Sequence, residues 1–202
     1  MEVLIRRTSE NDFFQTETIT REAFWNLYKP GCVEHLILHN LRKSKSYIAE
    51  LDLVAVFGNE IIGHIISTIA KVVDSQNTEY KVLCVGPLSV LPDFQKQAIG
   101  SELMRHSIST ARQSGYSGMI LFGNPDYYHR FGFKNAAIYG ITTKDSQNFE
   151  PFMALELRTN GLADVNGRFF EDDAFEIQHD ALIEFEKKFL FKEKLVTDTQ
   201  FK

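Results

Sequence analysis

Apolar residues follow two different spacings along this chain, one typical of strands and one typical of helices. Between residues 82 and 90 almost every residue is apolar and favours extended structure, and Gly86 and Pro87 interrupt the run. Because proline has no amide hydrogen to donate to a neighbouring strand, this pair is unusual in a central strand. The run therefore predicts a strand with a local bulge or splay, which leaves backbone groups without a partner strand.

A helix is predicted directly after this strand, and Gly115 is expected to end it. Its apolar positions are separated by four, one, four and three residues, which fits a period of 3.6. These positions are Ile99, Leu103, Met104, Ile108 and Ala111.

The segments on either side supply the rest of the predicted fold. Before the central strand we expect a strand at 3–5, helices at about 13–27 and 33–41, and a hairpin of 47–56 with 61–73. After the helix we expect a strand at 118–122, a short helix near 127–129, edge strands at 133–135 and 138–142, and a strand at 152–157. This order predicts an α+β fold, an α/β sandwich, with a mixed, mostly antiparallel central sheet flanked by helices and a splayed central strand.

Composition changes near residue 159, where turn residues become frequent. We therefore predict one domain over residues 1–158 and an extension over 159–202 that packs on it, with a strand at 169–170 and an amphipathic helix at 180–191. In that helix Glu184 and Lys188 are spaced for an ion pair. A contact between two copies in a homodimer is the alternative role for the extension.

Charge and size exclude several classes of protein. The chain has 202 residues, 44% of them hydrophobic, and 17 phenylalanines, enough for one large core. Its net charge of −5 argues against nucleic acid or an anionic membrane as a partner, because both require clustered lysine and arginine. No secretory leader and no apolar run of the ~18–20 residues needed to span a membrane is present, so we expect a soluble, cytoplasmic protein.

Cysteine and histidine give little sign of metal or redox chemistry. Cys84 lies within the apolar strand and is expected to be a small buried hydrophobic residue. His64 is expected to be a hydrogen-bonded structural residue, with a catalytic base as the alternative. His35 and His39 lie one helical turn apart, as half of a metal site would, but no third ligand is evident beyond neighbouring Cys32 or Glu34. We predict no metal.

The turn before the predicted helix is a candidate anion site. A glycine-bearing turn between a strand and a helix directs unpaired backbone amides toward one point, where the helix dipole adds about half a positive charge. Phosphate or pyrophosphate binds at such points.

The order of these parts resembles the GNAT superfamily of acetyl-CoA-dependent N-acetyltransferases, over about residues 3–158. The family's pyrophosphate motif, Gln/Arg-x-x-Gly-x-Gly/Ala, stands here as Gln95-Lys96-Gln97-Ala98-Ile99-Gly100, and the later Tyr127-Tyr128-x-Arg130-Phe131-Gly132-Phe133 is most similar to the bacterial subgroup called YhbS-like. Ala98 replaces the first glycine of the motif. An alanine fits there only if its φ is negative and the phosphate does not pack directly on its Cα.

The resemblance implies roles for individual residues in binding acetyl-CoA. The backbone of the central strand would pair with the pantetheine arm, amides at the start of the helix would hold the pyrophosphate, and an asparagine would contact the arm. The residues implied are Leu88, Ser89, Val90, Gln95, Lys96, Gln97, Ala98, Gly100, Ser101 and Asn124. Residues of the first two helices and their loop would border the acceptor, namely Glu22, Trp25, Tyr28 and Glu34, for which packing and solvation are the alternative roles.

The implied chemistry is transfer of an acetyl group to a primary amine of a small molecule or a protein. Such an amine has a pKa near 10.4 and must lose a proton before it attacks, and the thiolate that leaves must gain one. The family pattern favours Tyr128 as the acid, while packing is the alternative role for Tyr127 and Tyr128 alike. The base is left open among Glu22, Glu79, Asp93 and a chain of water molecules. A non-catalytic module that binds or senses acyl-CoA is the alternative function, which Ala98 favours.

Overall fold

The structure is a computed structural model that describes residues 2–198 and Gln200. Within these residues the chain forms one sheet of nine strands with five α-helices. The strands are β1 Leu4–Arg7, β2 Asp52–Phe57, β3 Glu60–Val73, β4 Glu79–Val90, β5 Gly118–Phe122, β6 Lys134–Asn135, β7 Ile141–Thr142, β8 Phe152–Glu156 and β9 Gly167–Phe170. The helices are α1 Phe13–Phe24, α2 Glu34–Leu41, α3 Ile99–Gln113, α4 Pro125–Tyr128 and α5 His179–Glu186.

The sheet is mixed and mostly antiparallel. Its strands lie in the order β1-β2-β3-β4-β5-β8-β6, and β9 pairs with both β3 and β7. The β4–β5 and β7–β9 pairs are parallel, and the other pairs are antiparallel. This arrangement confirms the predicted fold class.

The predicted irregularity of the central strand is confirmed at β4. Its pairing with β3 shifts register opposite Gly86 and Pro87. A Cβ at Gly86 would lie 2.9 Å from Cγ2 of Ile66, so the bulge brings the two strands too close for a side chain there. On its other edge β4 pairs with β5 only at Leu83 and Cys84. Beyond Cys84 the two strands part, and one edge of β4 is open.

The predicted helix α3 packs on the sheet through its apolar face. Leu103, Met104 and Ala111 are fully buried against residues of β2, β3 and β4. Burial of a leucine-sized side chain contributes about 2 kcal/mol, so this face anchors α3 and holds its first turn beside the open edge of β4.

Four predicted boundaries were wrong, one of them at the predicted edge strand 138–142, where residues 136–139 form a 3₁₀ turn and β7 covers only Ile141–Thr142. Helix α1 ends at Phe24 rather than near residue 27, and Asn26 is left-handed with φ of 59°. The first hairpin strand begins at Asp52, because residues 49–51 form a 3₁₀ turn. Helix α5 ends at Glu186, and Glu184 pairs with Lys187 instead of Lys188.

Side chains at and just after the end of α1 bind the chain that follows α5. Arg21 donates a hydrogen bond to the carbonyl of Leu190 at 3.2 Å, and Trp25 donates one to the carbonyl of Glu193 at 2.9 Å. These two hydrogen bonds attach the chain after α5 to the end of α1.

Residues after 158 pack closely on the rest of the molecule. Strand β9 extends the sheet beside β3, and its Phe169 is buried. In α5, Phe185 is buried against the rings of His35 and His39. The division of the chain at residue 158 stays a prediction.

Candidate functional site

A cleft of about 1020 Å³ opens where β4 and β5 part. The start of α3 forms one end, the open edge of β4 and the start of α4 form the walls, and the end of α1 and the start of α2 face them. The elements α1, α2 and α4 are distant in sequence from β4 and α3, so the fold brings them to this cleft.

Two left-handed residues shape the loop at the α3 end. Lys96 has φ of 60° and Ala98 has φ of 65°. The side chains of Gln95 and Gln97 donate hydrogen bonds to the carbonyls of Val90 and Asp93, each at 3.1 Å, and hold the loop in place. The first amides of α3 have no partner within the helix and point out of its end.

The expectation that Ala98 needs a negative φ was wrong. Ala98 is the N-cap of α3 and lies in the left-handed region. That conformation costs an alanine roughly 1 kcal/mol that a glycine would not incur. The alanine therefore adopts a conformation that a glycine would adopt without strain.

Gly100 brings the first turn of α3 close to a tyrosine. A Cβ at Gly100 would lie 2.8 Å from the hydroxyl oxygen of Tyr127. The guanidinium of Arg130 lies 4.9 Å from the centre of the Tyr127 ring. Burial raises the pKa of Tyr127, and a hydrogen bond with Ser101 acts in the opposite direction. The phenol and the guanidinium therefore lie at the anion-binding end of the cleft.

The open edge of β4 faces the cleft through residues 88–90. Leu88 and Val90 line it, and the opposite edge of this segment is paired with β3. Ser89 points the other way, is only 1% exposed and shares a hydrogen bond of 3.1 Å with Thr20. The amide of Leu91 donates to the carbonyl of Ile62 in β3, so the backbone of Ser89, two residues earlier, also faces β3 rather than the cleft.

Tyr128 lies in the wall of the cleft at the end of α4. A side chain at Gly123 would overlap its ring, and the ring of Phe133 lies 5.8 Å away. Burial, with smaller effects of Tyr127 and Tyr28, raises the pKa of Tyr128 well above its usual range. Its phenol is therefore protonated at neutral pH.

Asn124 caps helix α4. Its side-chain oxygen accepts a hydrogen bond of 3.0 Å from the amide of Asp126, which leaves the side-chain NH₂ as a free donor of a cleft-lining residue.

Several predicted site residues do not line the cleft. Gln97 is bonded to Asp93 instead. The three acids considered as the base lie elsewhere: Glu22 pairs with Lys192, Glu79 pairs with Lys71, and Asp93 is exposed in the loop before α3.

Trp25 packs on the chain after α5. Tyr28 and Glu34, by contrast, do line the cleft.

Sequence reasoning missed Glu171 and Phe175, which also line the cleft. They follow β9, and the pairing of β9 with β3 carries them to the cleft. Burial raises the pKa of Glu171 and likewise that of Glu34. No motif marks Glu171 in the sequence.

The predictions for Cys84 and His64 are confirmed. Cys84 is 1% exposed, and His64 is fully buried with its Nε2 2.7 Å from the carboxylate of Asp52. His35 and His39 face different carboxylates, those of Glu186 and Glu17. No group of three or more metal-ligating side chains occurs in the described part of the chain.

Among residues 2–198 and Gln200, none of the helices has the length and apolar character to cross a bilayer.

The structure has a mixed sheet in which β4 and β5 part beside the N-terminus of α3. This arrangement agrees with the fold that the resemblance to the GNAT superfamily predicted. The sequence profile of the Acetyltransferase (GNAT) family matches residues 11–133, and the chain belongs to this family. Two Escherichia coli relatives are described as uncharacterized N-acetyltransferases. YjhQ is 28% identical over 101 residues, and the match covers 50% of this chain and only about half (55%) of YjhQ. YhbS is 25% identical over 135 residues, which cover 66% of this chain and 78% of YhbS.

Solved structures share the fold. A crystal structure of Escherichia coli YhbS in complex with CoA has a TM-score of 0.78 and 22% identity, and the alignment covers 88% of this chain and 93% of that one. A GNAT family acetyltransferase from Brucella melitensis in complex with acetyl-CoA has a TM-score of 0.68 and 26% identity, with 87% and 99% covered.

Proposed function

We propose that this protein binds acetyl-CoA in the cleft between β4 and β5 and transfers its acetyl group to a primary amine. One observation carries the proposal: a helix N-terminus, an open strand edge and a protonated phenol line one cleft in that order. Family membership supports it, as do the similar structures that hold CoA and acetyl-CoA.

The cofactor would lie along the cleft from α3 toward Cys84, the branch point at which β4 and β5 part. Amides of residues 98–101 would hold the pyrophosphate, since they lie at the N-terminus of α3, where the helix dipole favours an anion. Lys96 would add an exposed charge of small effect. The pantetheine arm would pair with the open edge of β4 at Leu88 and Val90, and the NH₂ of Asn124 would donate to it.

The reaction would be a direct attack. The neutral amine forms a bond to the thioester carbon and loses a proton to water in the cleft, and the bond from carbon to sulfur breaks. Tyr128 would donate a proton to the departing thiolate. Its raised pKa keeps the proton on the phenol until negative charge develops on sulfur.

A non-catalytic module that binds acyl-CoA is the second candidate, and the alanine at position 98 is the observation that favours it. Calorimetric titration with CoA, together with thiol release from acetyl-CoA over a panel of amines, distinguishes the two. Heat on titration with turnover of an amine is the expected result. Heat without turnover would favour the binding module, and no heat would contradict both.

A further inference from the structure

Charged side chains in the cleft are segregated by sign. Among the described residues that line it, four are charged: Lys96, Arg130, Glu34 and Glu171. The two cations lie at the α3 end, where a pyrophosphate would bind. The two anions lie on α2 and after β9, away from α3.

The carboxylates occupy defined positions at the far end. Glu34 is in the first turn of α2, and one of its oxygens accepts a hydrogen bond of 2.9 Å from the amide of Val33. Glu171 has an oxygen 4.0 Å from the sulfur of Cys84. Because β4 and β5 part after Cys84, Glu171 lies at the branch point, which an arm running up the edge of β4 would approach.

Neither carboxylate forms an ion pair with a described residue. Lys29 and Lys144 act on Glu34 and Glu171 over longer distances, and burial is the larger effect on both. Half-buried carboxylates that lack a cation destabilise the fold, and a cationic ligand would offset that cost.

The surface around these carboxylates is apolar and aromatic. Phe24, Phe122 and Phe175 line the cleft with Ile37. Methylene groups pack well on such a surface, and aromatic faces also attract ammonium groups.

We propose, as an inference that rests on the proposed function, that the acceptor is an aliphatic diamine or longer polyamine. The nitrogen beside Glu171 receives the acetyl group, and the second ammonium binds Glu34. Such a molecule carries two positive charges at neutral pH, because its amines have pKa values near 10. Its methylene chain contacts the aromatic surface between the carboxylates.

The first test compares acceptors of one carbon length: 1,4-diaminobutane, butylamine, which lacks the second charge, and 4-aminobutanoate, which inverts it. Thiol release from acetyl-CoA is measured with the full chain. One charge-assisted hydrogen bond corresponds to about 10- to 100-fold, so kcat/KM for the diamine should exceed that for butylamine by about this factor. Aminobutanoate should be the poorest substrate.

Variants connect that preference with the two carboxylates. Glu34→Gln should raise KM for the diamine and bring its kcat/KM close to that of butylamine. The double variant Glu34→Gln/Glu171→Gln should abolish the preference. Glu150→Gln is the matched control, because Glu150 is exposed and does not line the cleft.

Equal kcat/KM for the diamine and butylamine would overturn the inference, as would a preference that survives in the double variant. Calorimetric titration of the diamine into the CoA-saturated protein separates this inference from the proposed function. If the diamine binds without turnover and this binding is lost in the double variant, the inferred ligand class stands and the proposed acetyl transfer is wrong. Absence of diamine binding would overturn the inference itself.

Discussion

Tyr127 and Tyr128 are consecutive residues of α4 that face different parts of the cleft. The hydroxyl of Tyr127 lies beside Gly100 at the start of α3, whereas Tyr128 packs on Phe133 and lies near Tyr28. Neighbouring positions on a helix point about 100° apart, so the two phenols face different parts of the cleft. In the proposed complex Tyr127 would lie beside the phosphates and Tyr128 beside the thioester.

Tyr128→Phe is expected to lower kcat by about 10²-fold or more, because the leaving thiolate loses its proton donor. The Kd for acetyl-CoA should change little, since the ring and its packing are kept. Steady-state thiol release and calorimetry measure the two quantities. Tyr116→Phe, outside the cleft, is the control. An equal loss of turnover and affinity would contradict the role as an acid.

Ala98→Gly is expected to increase the free energy of unfolding by about 1 kcal/mol, because glycine adopts a φ of 65° without strain. Affinity for acetyl-CoA should stay equal or increase. Denaturant unfolding gives the first quantity and calorimetry the second. Ala111→Gly, within α3, should have the opposite sign through lost helix propensity and packing. A destabilised Ala98→Gly variant would show that the alanine is not strained.

At the scale of elements, β4 and α3 together form the site. The bulge at Gly86 and Pro87 separates β4 from β5, and the apolar face of α3 holds its first turn beside the opened edge. The site needs both elements: the start of α3 supplies the anion site, and β4 supplies the open edge beside it.

Gly100→Ala is expected to weaken the binding of acetyl-CoA without lowering the free energy of unfolding. Alanine favours a helix over glycine by about 1 kcal/mol, so the free energy of unfolding should not fall. The new methyl group would lie 2.8 Å from the present position of the Tyr127 hydroxyl and push it into the cleft. Calorimetry should show acetyl-CoA binding weaker by about tenfold or more.

Ser109→Ala serves as the control for Gly100→Ala, because Ser109 is exposed on the same helix. Binding unchanged in Gly100→Ala would indicate that the ligand does not approach the first turn of α3.

At the scale of the whole molecule, buried polar groups connect the first two helices with α5. Arg21 donates to Glu186 at 2.9 Å, and Nε2 of His35 lies 2.7 Å from the same carboxylate. The ring of His35 also packs 5.3 Å from those of Phe185 and Phe189. We infer from these contacts that residues after 158 fold with the rest of the chain as one unit.

His35 makes this connection dependent on pH. Burial, opposed by Glu186, lowers its pKa from 6.5 to about 4. Between these values the unfolded chain binds a proton that the folded chain does not, so stability is lost as the pH falls from 6.5 to 4. The effect of one such group is about 3 kcal/mol.

His35→Gln should therefore lose less stability than the wild type over this range, whereas His106→Gln, at an exposed position, should follow the wild type. Denaturant unfolding at a series of pH values measures both. Parallel curves for wild type and His35→Gln would show that His35 does not titrate in this window.

Local pattern was enough to predict much of this protein. The spacing of apolar residues in α3 and the Gly86-Pro87 pair in β4 determined a helix and an interrupted strand, because helix period and the missing proline amide act over a few residues. The fold class followed from the order of such elements, and the α3 loop was found through its resemblance to the family motif.

Tertiary structure decided the parts of the site that depend on distant residues. Glu171 approaches Cys84 across 87 positions in the chain, and only the pairing of β9 with β3 places it there. Glu22 and Glu79 are drawn into ion pairs elsewhere. The left-handed backbone at Ala98 likewise follows from the path of the loop between β4 and α3, since an isolated alanine would avoid it. Such features depend on long-range packing, which overrides the preferences of neighbouring residues.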